Sequence, residues 1–113
     1  HMATSKEYIE YVMSSIGLTE NARYKKMFGE YMVYINDKPL LLVCDNNVFV
    51  KKLPEVGAII PDAPYGFPYD GAKEHYMLDM GDTELIRRVL DELDRITPPP
   101  KPKKNRTKKE ELI

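Results

Sequence analysis

Side-chain chemistry needs a nucleophile, a base or a set of ligands, and this sequence offers few of them. Apart from His1, the single histidine is His75, and the single cysteine is Cys44. Cys44 closes the apolar run Leu40-Leu41-Leu42-Val43-Cys44. A cysteine in that setting, with no base beside it, behaves as a small hydrophobe rather than a nucleophile. His75 stands alone in a strand-like run, where a histidine is more often structural, because catalysis would demand partners in defined geometry. One histidine and one cysteine without paired spacing do not make a zinc site. Gly29, Gly66 and Gly71 match neither a phosphate loop nor a dinucleotide fingerprint. The carboxylates fall mostly on expected helix surfaces and caps. These residues predict no enzyme, no catalytic residue, no metal and no cofactor. The weaker alternative is a small-molecule binder or enzyme using His75 or a loop tyrosine.

Basic residues come next. The pairs Lys25/Lys26 and Lys51/Lys52 could meet a phosphate backbone. In a strand, however, only one of each pair faces a given side, and edge lysines also discourage strand-to-strand aggregation. The net charge of −1 hides an asymmetry: residues 98–113 hold six basic and two acidic residues, leaving eleven basic and sixteen acidic ones for the rest. A basic tail on an acidic body is one pattern of nucleic-acid contact. The acidic body weighs against it, and a solubilising, unstructured tail is the favoured reading. Pro99 and Pro102 have the spacing of a polyproline II ligand, although without a known partner a stiff linker is the favoured reading.

The residues best suited to recognition are aromatic. The segment Pro61-Asp62-Ala63-Pro64-Tyr65-Gly66-Phe67-Pro68-Tyr69-Asp70-Gly71-Ala72-Lys73 places three aromatics among three prolines and two glycines. Prolines and glycines exclude a helix or an interior strand. Long irregular loops in small domains are uncommon and often functional. The loop is expected to pack partly on its own domain, with Tyr65 or Tyr69 as the exposed contacts.

The surrounding elements follow from periodicity. Thr4 and Glu7 have capping-box spacing, and Tyr8, Ile9, Val12, Met13 and Ile16 recur as a helical stripe. Gly17 suits the left-handed residue that ends a helix. From Arg23 to Lys52 the pattern becomes a meander of three or four antiparallel strands. Gly29 sits at a hairpin or a bulge, Asn36-Asp37-Lys38 and Asp45-Asn46-Asn47 form turns, and Pro39 opens a strand. Pro54–Ile60 predicts a short helix, Lys73–Asp79 a further strand, and Asp82 caps a last helix that Thr97-Pro98-Pro99-Pro100 stops. The fold class is therefore α+β, in the order α-β-β-β(-β)-α-β-α: an antiparallel sheet of about five strands with helices packed on one side. The middle strands are apolar on both faces, where a sheet with one wet face would alternate with polar residues. Helices cover one face. The other needs the Pro/Tyr loop, a second copy of the chain or a partner.

The 113 residues, 42% hydrophobic and 31% charged, suffice for one modest core. Residues 4–97 are expected to form a single domain, after a cloning scar and flexible start at 1–3 and before a disordered Pro/Lys-rich tail at 98–113. No run is long enough to cross a bilayer, no secretory signal is evident at the start, and a lone cysteine fits the reducing cytoplasm.

Two segments together resemble a known family. Tyr24-Lys25-Lys26-Met27-Phe28-Gly29-Glu30-Tyr31 is similar to one signature of the TfoX N-terminal domain family. Pro61-Asp62-Ala63-Pro64-Tyr65, followed by Pro68-Tyr69-Asp70-Gly71-Ala72-Lys73, is similar to the other. The tail also looks like that of standalone members, and the likeness spans roughly residues 2–104. The resemblance implies a bacterial cytoplasmic protein with a secretion-chaperone-like two-layer fold and no catalytic residues. It also implies kinship with the TfoX (Sxy) regulator of competence, which acts with the cyclic-AMP receptor protein at promoters. Full regulators carry a second, C-terminal domain where this chain has its charged tail, so the pathway does not follow from the family. The expected function is a non-enzymatic interaction or regulatory module. Its partner would be a protein, such as that transcription factor or a second copy in a homodimer, and nucleic acid is the alternative. The expected surface comprises Lys25, Lys26, Met27, Phe28, Gly29, Glu30, Tyr31, Tyr65, Phe67, Tyr69 and Lys73.

Overall fold

A computed structural model describes residues 4–17 and 21–100. The expected scar at 1–3 and the tail beyond residue 100 lie outside the described residues. The elements run α1 (Lys6–Ser15), β1 (Ala22–Met27), β2 (Glu30–Ile35), β3 (Lys38–Cys44), β4 (Asn47–Lys51), α2 (Pro54–Ile59), β5 (Tyr65–Gly66), β6 (His75–Met77) and α3 (Thr83–Ile96). The strands form one antiparallel sheet in the order β1-β2-β3-β4-β6-β5. This is the α+β fold that the pattern predicts, with four strands in the meander.

Three tight turns build the meander. Phe28-Gly29, Asn36-Asp37 and Asp45-Asn46 all have positive φ, between 54° and 80°. Each joins a directly paired couple: Met27 with Glu30, Ile35 with Lys38, and Cys44 with Asn47. Two left-handed residues in a row match the right-handed twist of the flanking strands. Asn and Asp tolerate that backbone region, whereas a bulky residue such as Phe28 is an outlier there. Gly29 thus makes a hairpin, and the irregularity lies elsewhere: between Val33 and Tyr34 the partner on β3 jumps from Leu41 to Pro39, skipping Leu40. The extra residue breaks the alternation of β3, and Leu40 joins the buried core.

Register sorts the side chains into two faces. Lys26, Tyr31, Val43 and Val48 lie in one cross-strand row, and Lys25, Met32, Leu42, Phe49 and Met77 in the row on the other face. The first face carries the core. Tyr31, Val33, Val43, Val48 and Val50 meet Ile9 and Val12 of α1, Val56 of α2, and Ile86, Val89, Leu90 and Leu93 of α3. Each such fully buried aliphatic side chain contributes roughly 1.5–3 kcal/mol. Ion pairing anchors the end of α3. Lys38 Nζ lies 3.0 Å from Asp94 Oδ1 and donates to the Asp94 carbonyl at 2.8 Å, while Asn36 donates to Asp94 Oδ2 at 3.1 Å. Arg95 pairs with Glu92 one turn earlier on the same helix.

The caps largely follow expectation, with one correction. Asp82 accepts from the Leu85 N–H at 3.1 Å, and Gly17 takes φ +83° after the Ile16 cap. The N-cap of α1 is Ser5, not Thr4: the Ser5 hydroxyl accepts from the Tyr8 N–H at 3.1 Å. Thr4 is instead buried, and its hydroxyl donates to Glu30 Oε1 at 2.6 Å. Three strand boundaries also move. Strand β3 opens at Lys38, β6 is only three residues long, and the Pro/Tyr loop itself supplies a two-residue edge strand, β5.

Candidate interaction surface

The second sheet face is crossed by the loop between β5 and β6. Pro68 is its buried anchor, while Phe67 and Tyr69 remain 64% and 57% exposed. The loop divides the face into open clefts. One, of about 520 Å³, is lined by Met27, Phe28, Met32, Leu42, Cys44, Pro68 and Tyr69. On the other side of Tyr69 lies a cleft of about 450 Å³ bordered by Met32, Leu42, Phe49, Lys51, Lys73 and His75. A third, of about 680 Å³, lies between Phe67–Asp70 and Asn47, Phe49 and Met77. The loop therefore covers part of the apolar face and leaves the rest as grooves. Phe28 stands at the rim, 99% exposed with φ 55°.

The structure brings Lys25, Met27, Phe28, Gly29, Glu30, Phe67, Tyr69 and Lys73 to the loop-crossed side or its rim, lets Tyr31 border the first cleft from within the sheet, and sets others apart. Tyr31 is buried, its ring meeting Tyr24 edge to face at 5.4 Å. Lys26 shares the helix-side row of Tyr31, whereas Lys25 shares the row of Met32. Tyr65 pairs with Tyr76, opposite Val50, and so lies toward the helix side. There Lys52 Nζ sits 5.3 Å and 5.4 Å from the centroids of Tyr65 and Tyr76, and 3.8 Å from Glu74. Cation–π attraction of this kind fixes the short β5–β6 edge. Sequence reading of the site left out Met32, Leu42 and Phe49. Their signal was the second parity of the two-sided strands. No local pattern announces Lys52 between two rings brought together by the loop.

Glu30 has a clear structural task. Its Oε1 accepts from the Thr4 hydroxyl and, at 3.1 Å, from the Asp45 N–H. Thr4 Oγ1 in turn accepts from the Asn46 N–H at 3.2 Å, the Thr4 N–H reaches the Gly29 carbonyl at 3.2 Å, and Ser5 N–H meets Asn46 Oδ1 at 3.0 Å. One carboxylate ties two hairpin turns to the start of α1.

The surroundings of His75 and Cys44 are specific. His75 Nδ1 lies 2.8 Å from the Lys73 carbonyl, which can only accept, so Nδ1 carries the proton. Among the described residues no group of three or more His, Cys, Asp and Glu side chains could hold a metal ion. Cys44 is 2% exposed, and burial, with the negative charges of Glu30 and Asp45, pushes its thiol up to about 11. The neutral thiol is the folded form at physiological pH. We expect Ellman's reagent at pH 8 to label native Cys44 far more slowly than the urea-unfolded chain; immediate labelling of folded protein would contradict the burial. Stability should fall as pH rises from the ordinary thiol value, roughly 8.5, toward 11, because the unfolded thiol ionises first.

These features define an open-sheet α+β domain with a loop-crossed apolar face, and among the described residues no helix is long and apolar enough to cross a membrane. A Spirochaeta aurantia protein, described as an uncharacterized 12.7 kDa protein in the trpE 5' region, is 33% identical over 111 residues, covering 95% of each chain. The chain belongs to the same family as that protein. No family model matches the sequence, and no solved structure matches it.

Proposed function

We propose that this domain is a non-enzymatic protein-interaction module whose contact surface is the loop-crossed sheet face with Phe28 at its rim. Phe28 is the observation that carries this reading. A bulky residue in the left-handed region costs about 1–2 kcal/mol relative to a residue that suits it, and this ring recovers nothing by burial, being 99% exposed. Strain kept at an exposed position points to use. The apolar grooves beside it, flanked by Phe67 and Tyr69, offer a partner the aromatic surface that interfaces favour. The resemblance to the TfoX N-terminal domain family supports a regulatory module of the bacterial cytoplasm, with a transcription factor such as the cyclic-AMP receptor protein as the kind of partner. The nucleic-acid reading has less support, since Lys25 and Lys26 lie on opposite faces and do not form one basic stripe.

Photo-crosslinking in the source cell tests this. A photoreactive phenylalanine analogue at Phe28 or Phe67 should give discrete protein adducts, while the same analogue at Arg88, on the exposed side of α3, should not. Identical adducts from all three positions, or none from Phe28 and Phe67, would sink the reading.

A further inference from the structure

The two edges of the sheet are unlike. Strand β5 is two residues long, sits between Pro64 and Pro68, and ends the sheet with little pairing capacity. Strand β1 is six residues long, contains no proline and, among the described residues, pairs only with β2, so alternate backbone groups of Ala22–Met27 face outward. Its protection is charge: Arg23, Lys25 and Lys26 with no acidic residue. Arg23 is engaged, 3.3 Å from Asp37 and stacked on Tyr34 at 4.4 Å. Lys25 and Lys26 are exposed and take part in no ion pair among the described residues. A second copy pairing antiparallel along this edge would set lysines against basic residues, and like charges across a strand pair are unfavourable.

We propose that β1 accepts an extended acidic segment of a partner protein as a seventh strand. The register specifies its side chains. Residues beside Lys25 and Lys26 point to opposite faces and should both be Asp or Glu. Those beside Tyr24 and Met27, each 38% exposed, should be apolar. The motif is apolar-acidic-acidic-apolar, which reads the same in either strand direction. Main-chain hydrogen bonds supply attachment and the lysines supply selection. The inference rests on the interaction-module reading but uses the edge rather than the loop-crossed face, so adducts at Phe28 can form whether or not the strand is accepted.

The test uses the whole chain, isotope-labelled, titrated with the capped hexapeptide Thr-Val-Glu-Glu-Val-Thr and its counterpart with two lysines in place of the glutamates. We expect saturable amide shifts confined to residues 22–27 and their β2 partners, slower amide exchange along β1, and about a tenfold preference for the acidic peptide from two cross-strand charge pairs. The double variant K25E/K26E, altered only at exposed positions, should reverse the preference. Equal response to both peptides, no response to either, or an unchanged preference in the double variant overturns the proposal. So do β1 shifts that grow with protein concentration alone, which would assign the edge to a second copy. Displacement of the peptide by a single-stranded oligonucleotide at lower concentration would assign it to nucleic acid.

Discussion

Phe28→Asn should make the folded state more stable, by about 1 kcal/mol, while removing the contact for which the residue is held. Phe28 lies first in a two-residue turn, at φ 55°, followed by Gly29 at φ 80°. Asn-Gly is the sequence that this turn type prefers, since Asn enters the left-handed region with little penalty. No burial is lost, because the ring is 99% exposed. Urea denaturation would show the midpoint rising with an unchanged slope, the sign of a pure stability change. Phe28→Ala separates backbone from side chain: it removes the ring but keeps a Cβ in the same strained turn, so stability should stay near the parent's. Both variants should lose partner affinity, read with the partner that the crosslinks identify. If Asn lowered stability instead, the ring would be packed in solution, and the reason for placing the interaction surface here would be gone.

How much of this was legible beforehand varies with the range of the forces. Local rules served well for caps and turns: Asp82, Gly17 and the Asn/Asp pairs each act through their own backbone neighbours, and the structure uses them as expected. The two-sided apolar pattern of β2 and β3 also foretold that the second face needs cover. Local spacing failed at Thr4, because Glu30, twenty-six residues away, takes the Thr4 hydroxyl and the adjacent Ser5 caps the helix instead. It failed at Leu40, where a bulge that no glycine marks restores the pairing of Lys38 with Ile35 and so aims Lys38 at Asp94 on α3. The candidate surface was legible as a set of residue types but not as a place. Tyr65 and Phe67 are neighbours in the loop, yet the pairing of β5 with β6 turns Tyr65 toward Lys52 on the helix side. Only Phe67 and Tyr69 join the clefts of the other face.

Glu30→Ala carries the largest expected loss of stability among exposed or half-buried positions, about 2–3 kcal/mol, since hydrogen bonds to a charged group contribute roughly 1.5–3 kcal/mol. The substitution deprives the buried Thr4 hydroxyl of its 2.6 Å acceptor and leaves the Asp45 N–H without the carboxylate oxygen 3.1 Å away. The Thr4 hydroxyl can turn to the Val43 carbonyl at 3.3 Å, a weaker bond, while the exposed Asp45 N–H, in a turn held at φ 54°, is left to water. In a domain of this size each kcal/mol lowers the melting temperature by roughly 4–8 °C. Glu30→Gln, which keeps an acceptor oxygen but not the charge, should lose no more than about half as much. The damage should also be local before it is global. Amide exchange at Thr4, Asp45 and Asn46 should quicken more than along β4 and β6, because the carboxylate joins the turns at Phe28-Gly29 and Asp45-Asn46 to the start of α1. A variant that melts with the parent would show that packing of Ile9 and Val12 alone seats α1 on the sheet, and the place of Glu30 in the first signature would then point to the interaction surface.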